Sequence, residues 1–69
     1  MATNIASERI KAELKQKELA AKIGTSPGAI SRWECGKVSP NGQKLVAMSN
    51  LFGCSIDYLL GMTDERIVR

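Results

Sequence analysis

Residues 16–33 read QKELAAKIGTSPGAISRW, and the fold turns on this stretch. Leu19, Ala20 and Ile23 recur at helical spacing, so Gln16 to Ile23 is expected to be a short helix with one apolar side. Gly24 follows as its stop, because glycine takes φ > 0 without a Cβ penalty. Ser26 then offers an N-cap oxygen. Pro27 suits the first helical position, where its missing N–H had no intrahelical partner anyway. Ala29, Ile30 and Trp33 form the apolar side of the helix that starts there. Two short helices thus flank a glycine turn, and the small Ala20 lets them approach closely. The side chains left facing outward on the second helix are Pro27, Gly28, Ser31 and Arg32.

On the N-terminal side, Thr3 or Asn4 can cap a first helix whose inward residues are expected to be Ile5, Ala6 and Ile10. On the C-terminal side, Gly36 stops the helix of Trp33, and residues 37–42 form a loop ending in the turn-rich Ser39-Pro40-Asn41-Gly42. A fourth helix is expected from about Gln43 to Phe52, with Leu45, Met48, Ser49 and Phe52 on one face and Gly53 as its end. Ser55 caps a short fifth helix, Ile56 to Leu60, stopped by Gly61. Residues 62–69 are polar and aperiodic and are expected to form a frayed tail. No run alternates apolar and polar residues as a half-buried strand would. The expectation is an all-α fold of five helices, with residues 1–61 as the domain and 62–69 as the tail.

Composition narrows the function. A chain of 69 residues is one small domain that depends on efficient packing or on a partner subunit. Its two cysteines, Cys35 and Cys54, are too few for a disulfide framework, and there is no histidine to complete a zinc site. Both are read as inert thiols, and no cofactor is expected. No stretch approaches the ~18 apolar residues of a membrane span, and the first ten residues carry no signal-peptide core. A cytoplasmic location and no membrane partner are therefore expected. The net charge is +3, unevenly spread. Residues 1–44 carry eight basic side chains against four acidic ones, a net +4, whereas residues 45–69 are net −1. A basic N-terminal two-thirds is what a phosphate-facing surface needs, although a solvated mixed surface gives the same count.

The layout of residues 16–33 is that of a helix-turn-helix, whose second helix is placed to enter a DNA major groove. Arg32 is the residue best suited to read a base, because its planar fork matches guanine O6 and N7. Gln16 can hydrogen-bond a phosphate or an adenine edge. Lys15, Lys17, Lys37 and Lys44 are candidates for neutralising phosphates, and equally for ordinary solvated lysines. Pro27 and Gly28 supply a helix start and a gap through which DNA can approach the backbone. Trp33, recurring with Ile30, belongs to the core rather than to a stacking platform.

Several pieces occur in series: Q-x-x-L-A-x-x-I-G from Gln16, I-S-R-W-E from Ile30, Gly36-Lys37, Ser39-Pro40, and G-x-S-x-D-Y-L-L-G from Gly53. Together, across Glu8 to Gly61, they resemble the Cro/CI-type helix-turn-helix family, the N-terminal domains of lambdoid phage repressors. The resemblance implies a compact five-helix bundle that binds a two-fold symmetric, double-stranded DNA operator as a homodimer and acts as a transcriptional repressor. Carried over by position, it implies DNA contacts from Gln16, Lys17, Ser26, Pro27, Gly28, Ser31, Arg32 and Lys37. It places Ile56, Tyr58 and Leu59 in the region that pairs two subunits. Three departures stand out. Only six residues separate Arg9 from Gln16, which implies a shortened first helix or a tight connection. Gly28 stands where a base-reading side chain is expected. Cys35 replaces a common phosphate-binding asparagine.

A different class of function, a helix-turn-helix module that binds another protein as an antitoxin does, fits the same helices. Salt-dependent and sequence-dependent DNA binding separates the two. Enzymatic function is not expected. No hydroxyl or thiol has a visible base, no glycine-rich phosphate loop occurs, and no small-molecule ligand is evident.

Overall fold

The structure is a computed structural model and describes residues 3–67. Five helices follow in order: α1 Ile5–Lys11, α2 Gln16–Ile23, α3 Pro27–Glu34, α4 Gly42–Phe52 and α5 Ile56–Leu59. No strand occurs among the described residues. The local signals account for most boundaries. Gly24 and Gly53 both take left-handed conformations, φ 75° and 68°, and end α2 and α4. Ser26, Asn41 and Ser55 cap α3, α4 and α5, each accepting a hydrogen bond from the backbone N–H three residues on. α4 begins one residue earlier than expected, at Gly42, because Asn41 rather than Gly42 supplies the cap.

The core is built from Ile5, Leu19, Ala20, Ile23, Ile30, Trp33, Met48, Phe52, Cys54 and Leu59. α2 and α3 pack against each other, with Ala20 at their junction almost fully buried. α4 closes over α2, and α5 packs on α4. Burial pushes the Cys54 thiol up, which keeps it protonated at neutral pH.

α1 departs from expectation. Ile5 is buried, but Ile10 is 64% exposed. Five residues of α-helix rotate the chain to roughly 140° from Ile5, so Ile10 lies off the buried stripe. The inward place one turn on belongs to Glu8, which is 2% exposed. Asn4 occupies the N-cap position without capping α1. Its side-chain amide donates to the Tyr58 carbonyl at 2.7 Å and its backbone N–H to the Leu59 carbonyl at 3.0 Å, tying α1 to α5.

The connection between α1 and α2 is four residues long, Ala12 to Lys15. It stays closed because Leu14 packs on the core and its carbonyl accepts from Arg9 Nη1 at 2.9 Å. Glu13 makes the reversal with φ 59°.

The tail is not frayed as far as Arg66. The Arg66 guanidinium donates to both carboxylate oxygens of Glu8, at 2.7 and 3.0 Å, and to the Phe52 and Gly53 carbonyls at the end of α4. The Arg66 carbonyl accepts from the Ser55 N–H at 2.7 Å. A buried carboxylate needs a partner, and the chain folds back to supply one. The folded unit therefore runs past residue 61, while residues 68–69 lie outside the described chain.

Candidate nucleic-acid interface

The glycine turn and the Ser26 cap set α3 across α2, with Ile30 and Trp33 pointing into the core. The spacing of Pro27, Gly28, Ser31 and Arg32 puts them together on the opposite face, and all four are exposed. Ser26 is also exposed, but its Oγ accepts from the Ala29 N–H at 3.2 Å and so holds the start of α3. Lys37 follows α3 in an exposed loop. Its backbone N–H donates to the Arg32 carbonyl at 3.1 Å, which fixes its place beside the end of the helix.

Gln16 opens α2 and is half-buried. Its Nε2 donates to Glu34 Oε1 at 3.0 Å, which joins the start of α2 to the end of α3. Glu34 is held in turn by Arg9, through Nε at 2.6 Å and Nη2 at 3.3 Å. The pair is largely buried, with side chains 15% and 11% exposed. Such a fork-to-carboxylate pairing fixes direction as well as distance. α1, α2 and α3 are thus locked by one three-residue network at the end of α3 and the start of α2.

The lysines divide. Lys17 is exposed on the first turn of α2. Lys15 is exposed at the α2 N-cap, where its backbone N–H donates to Glu18 Oε1 at 2.8 Å. Lys44 has a structural task instead: its Nζ donates to the Ile23 and Gly24 carbonyls at 3.0 and 2.9 Å. A cation there satisfies the orphan carbonyls at the C-terminus of α2 and complements its dipole. Cys35 is exposed, and its thiol donates to the Ser31 carbonyl at 3.1 Å.

The residues expected to pair subunits lie apart from this face, on α5. Ile56 and Tyr58 are half-exposed. Leu59 is fully buried in the protomer's own core, so it has no surface to give a partner, and its expected interface role is withdrawn.

Sequence reasoning missed Arg9 and Glu34, which orient the recognition unit, and Glu8 with Arg66. The signal for Glu8 was present: it sits three residues after Ile5 on the inward face of α1. Nothing local in the sequence joins Arg9 to Glu34.

Comparison with known proteins matches this arrangement. A family model described as helix-turn-helix covers residues 5–59. The repressor protein C2 of Salmonella phage P22 is 42% identical over 60 residues, covering 87% of this chain and 28% of that protein. The transcriptional activator BcrR of Enterococcus faecalis is 45% identical over 47 residues, 68% of this chain and 23% of that one. This chain therefore spans about a quarter of the length of either regulator. Among solved structures, the P22 c2 repressor in complex with the synthetic operator 9T superposes with a TM-score of 0.79 at 40% identity, over 87% of this chain and 91% of that one. A two-helix unit with an exposed α3 face, matched by the family model from Ile5 to Leu59, makes this chain a member of the helix-turn-helix family.

Proposed function

We propose that this chain is the DNA-binding domain of a transcriptional regulator, which binds a palindromic operator as a homodimer and represses transcription from it. The observation that carries the reading is the exposed face of α3. Pro27, Gly28, Ser31 and Arg32 stand clear of the protein on a rigidly anchored helix. α3 enters the major groove, Arg32 reads a base edge, and Lys17 and Lys37 neutralise phosphates. Gln16, oriented by Glu34, meets the DNA backbone at the α2 N-terminus. Ser26 positions α3 through its cap and lies beside the same backbone.

Two protomers place two α3 helices in successive major grooves, ~34 Å apart. Each protomer measures 30 × 22 × 21 Å, which suits that spacing. Ile56 and Tyr58 are the α5 residues available to pair the subunits. Tyr58→Asp is expected to weaken dimerisation and cooperative operator binding while leaving the monomer folded. An unchanged dimerisation constant in sedimentation removes α5 from the interface. The similarity to an activator as well as to a repressor concerns the shared domain, and the position of the operator relative to a promoter decides the sign of regulation.

The deciding experiment is selection of bound duplexes from a random pool, followed by titration at several salt concentrations. The expected result is a symmetric half-site and a steep fall of affinity with salt. Equal affinity for the selected site and for random duplex would overturn the reading and favour a protein partner. Among the described residues, no helix is long and apolar enough to cross a membrane.

A further inference from the structure

Gly28 is not required by the fold. Its φ is not in the left-handed region, and a Cβ built there meets nothing nearer than Arg32 Nη2, at 3.9 Å. That is ordinary contact with the end of a flexible side chain. Glycine at an exposed helical position is otherwise a disfavoured choice, because it orders a freer backbone and packs nothing.

What lies over the bare Cα is the Arg32 guanidinium, one turn further along α3 and leaning back toward the helix start, as long helical side chains do. Among the described residues, this guanidinium has no hydrogen-bond or ion-pair partner. Arg9 is closed on Glu34, Arg66 on Glu8, and Lys44 on the α2 carbonyls. The first residues of a recognition helix are the ones that contact base edges. Here one of them is a glycine, and the fork of Arg32 lies over it.

We propose that Gly28 is a specificity-determining residue that acts by absence. It lets the Arg32 guanidinium reach the base pair facing the start of α3, so that a guanine there is read by Arg32 from above Gly28. The proposal rests on the DNA-binding reading above. A branched side chain at position 28 fills that space and turns the fork away, so Gly28 and Arg32 act as one reading unit.

The test compares wild type, Gly28→Ala, Gly28→Val, Gly28→Leu, Arg32→Ala and the double variant Gly28→Val/Arg32→Ala. Each is characterised by thermal melting, by selection from a random pool, and by affinities for single-base-pair variants of the selected site. Wild type and Gly28→Ala are expected to prefer guanine at one symmetric base pair. Gly28→Val and Gly28→Leu are expected to lose about tenfold or more of that preference, with the other positions unchanged and melting no lower than wild type. Arg32→Ala should lose the same preference at the same base pair, and adding Gly28→Val to it should change nothing further there. The proposal is overturned if Gly28→Val and Gly28→Leu keep the guanine preference, or if positions 28 and 32 govern different base pairs. A wild type that selects no consensus is a separate outcome: it sinks the operator-binding reading itself, and this proposal with it.

Discussion

Arg9 and Arg32 carry the same guanidinium and face opposite ways. Arg9 is enclosed, its fork closed on Glu34, and its task is to hold helices in place. Arg32 is exposed, and among the described residues its guanidinium has no hydrogen-bond or ion-pair partner. Arg32→Ala is expected to weaken binding to the selected operator by ~1–3 kcal/mol and to relax preference at one symmetric base pair. Equal loss on every sequence, measured by titration, reassigns Arg32 to a phosphate. Glu13 is strained in a different way. It is the one non-glycine with positive φ among the described residues, at 59°, and an L-residue there is disfavoured by roughly 1–2 kcal/mol. Its side chain is exposed and the tight α1–α2 connection imposes the conformation. Glu13→Gly relieves the strain but frees the unfolded chain, so the expected net gain is about 0.5–1 kcal/mol. Urea unfolding reads this directly, and operator affinity should not change. The residues legible from sequence were those whose role is local: Ser26 as a cap, Pro27 as a helix start, Gly24 as a stop. Lys44 was not, because its partners lie 20 and 21 residues away.

The α2–α3 pair was readable because each of its boundaries is set by a residue's own backbone preference. α1 was not, because its pattern is ambiguous: Ile5, Glu8 and Ile10 compete for the inward stripe, and the isoleucine lost to the carboxylate. That choice depends on Arg66, 58 residues away, which periodicity does not see. The orientation of α3 against α1 depends likewise on Arg9 and Glu34, 25 residues apart, and sequence offered no warning of it. Without Arg9, Glu34 keeps only Gln16 as a side-chain partner, and a largely buried carboxylate is left half-satisfied. Arg9→Met, which keeps most of the packing, is therefore expected to cost about 2–3 kcal/mol of stability in urea titration. On the proposed DNA-binding function, the binding defect should exceed what the lost folded fraction explains, because Arg9 and Gln16 hold the end of α3 against α1 and α2. A binding constant restored fully by correcting for the unfolded fraction would reduce Arg9 to a purely stabilising role.

At the scale of the whole molecule, the Glu8–Arg66 pair closes the chain on itself. Arg66 joins the end of the described chain to α1, to the end of α4 and to the residue that caps α5. The family match ends at residue 59, so this strap lies beyond the shared pattern. Its contribution depends on pH, and the direction follows from Glu8. Hydrogen bonding to Arg66 lowers the Glu8 carboxyl below its ordinary value, outweighing burial, which pushes it up, with Lys11 lowering it further at 3.2 Å. A carboxyl lowered on folding adds stability that is complete above its unfolded value, about 4.3, and is lost as pH falls through the folded value. In Arg66→Ala the largest of these lowering effects disappears, and Glu8 stays buried beside Lys11 alone. Burial is then offset by Lys11 alone, so less of the pH-dependent stabilisation remains in the variant. The variant should be clearly less stable than wild type at pH 7, and the gap should narrow steadily as pH drops below about 4.3. Urea midpoints of both proteins at pH 7, 5 and 3.5 measure it. A gap of constant size across that range would mean that Arg66 acts through the Phe52 and Gly53 carbonyls and not through the buried carboxylate.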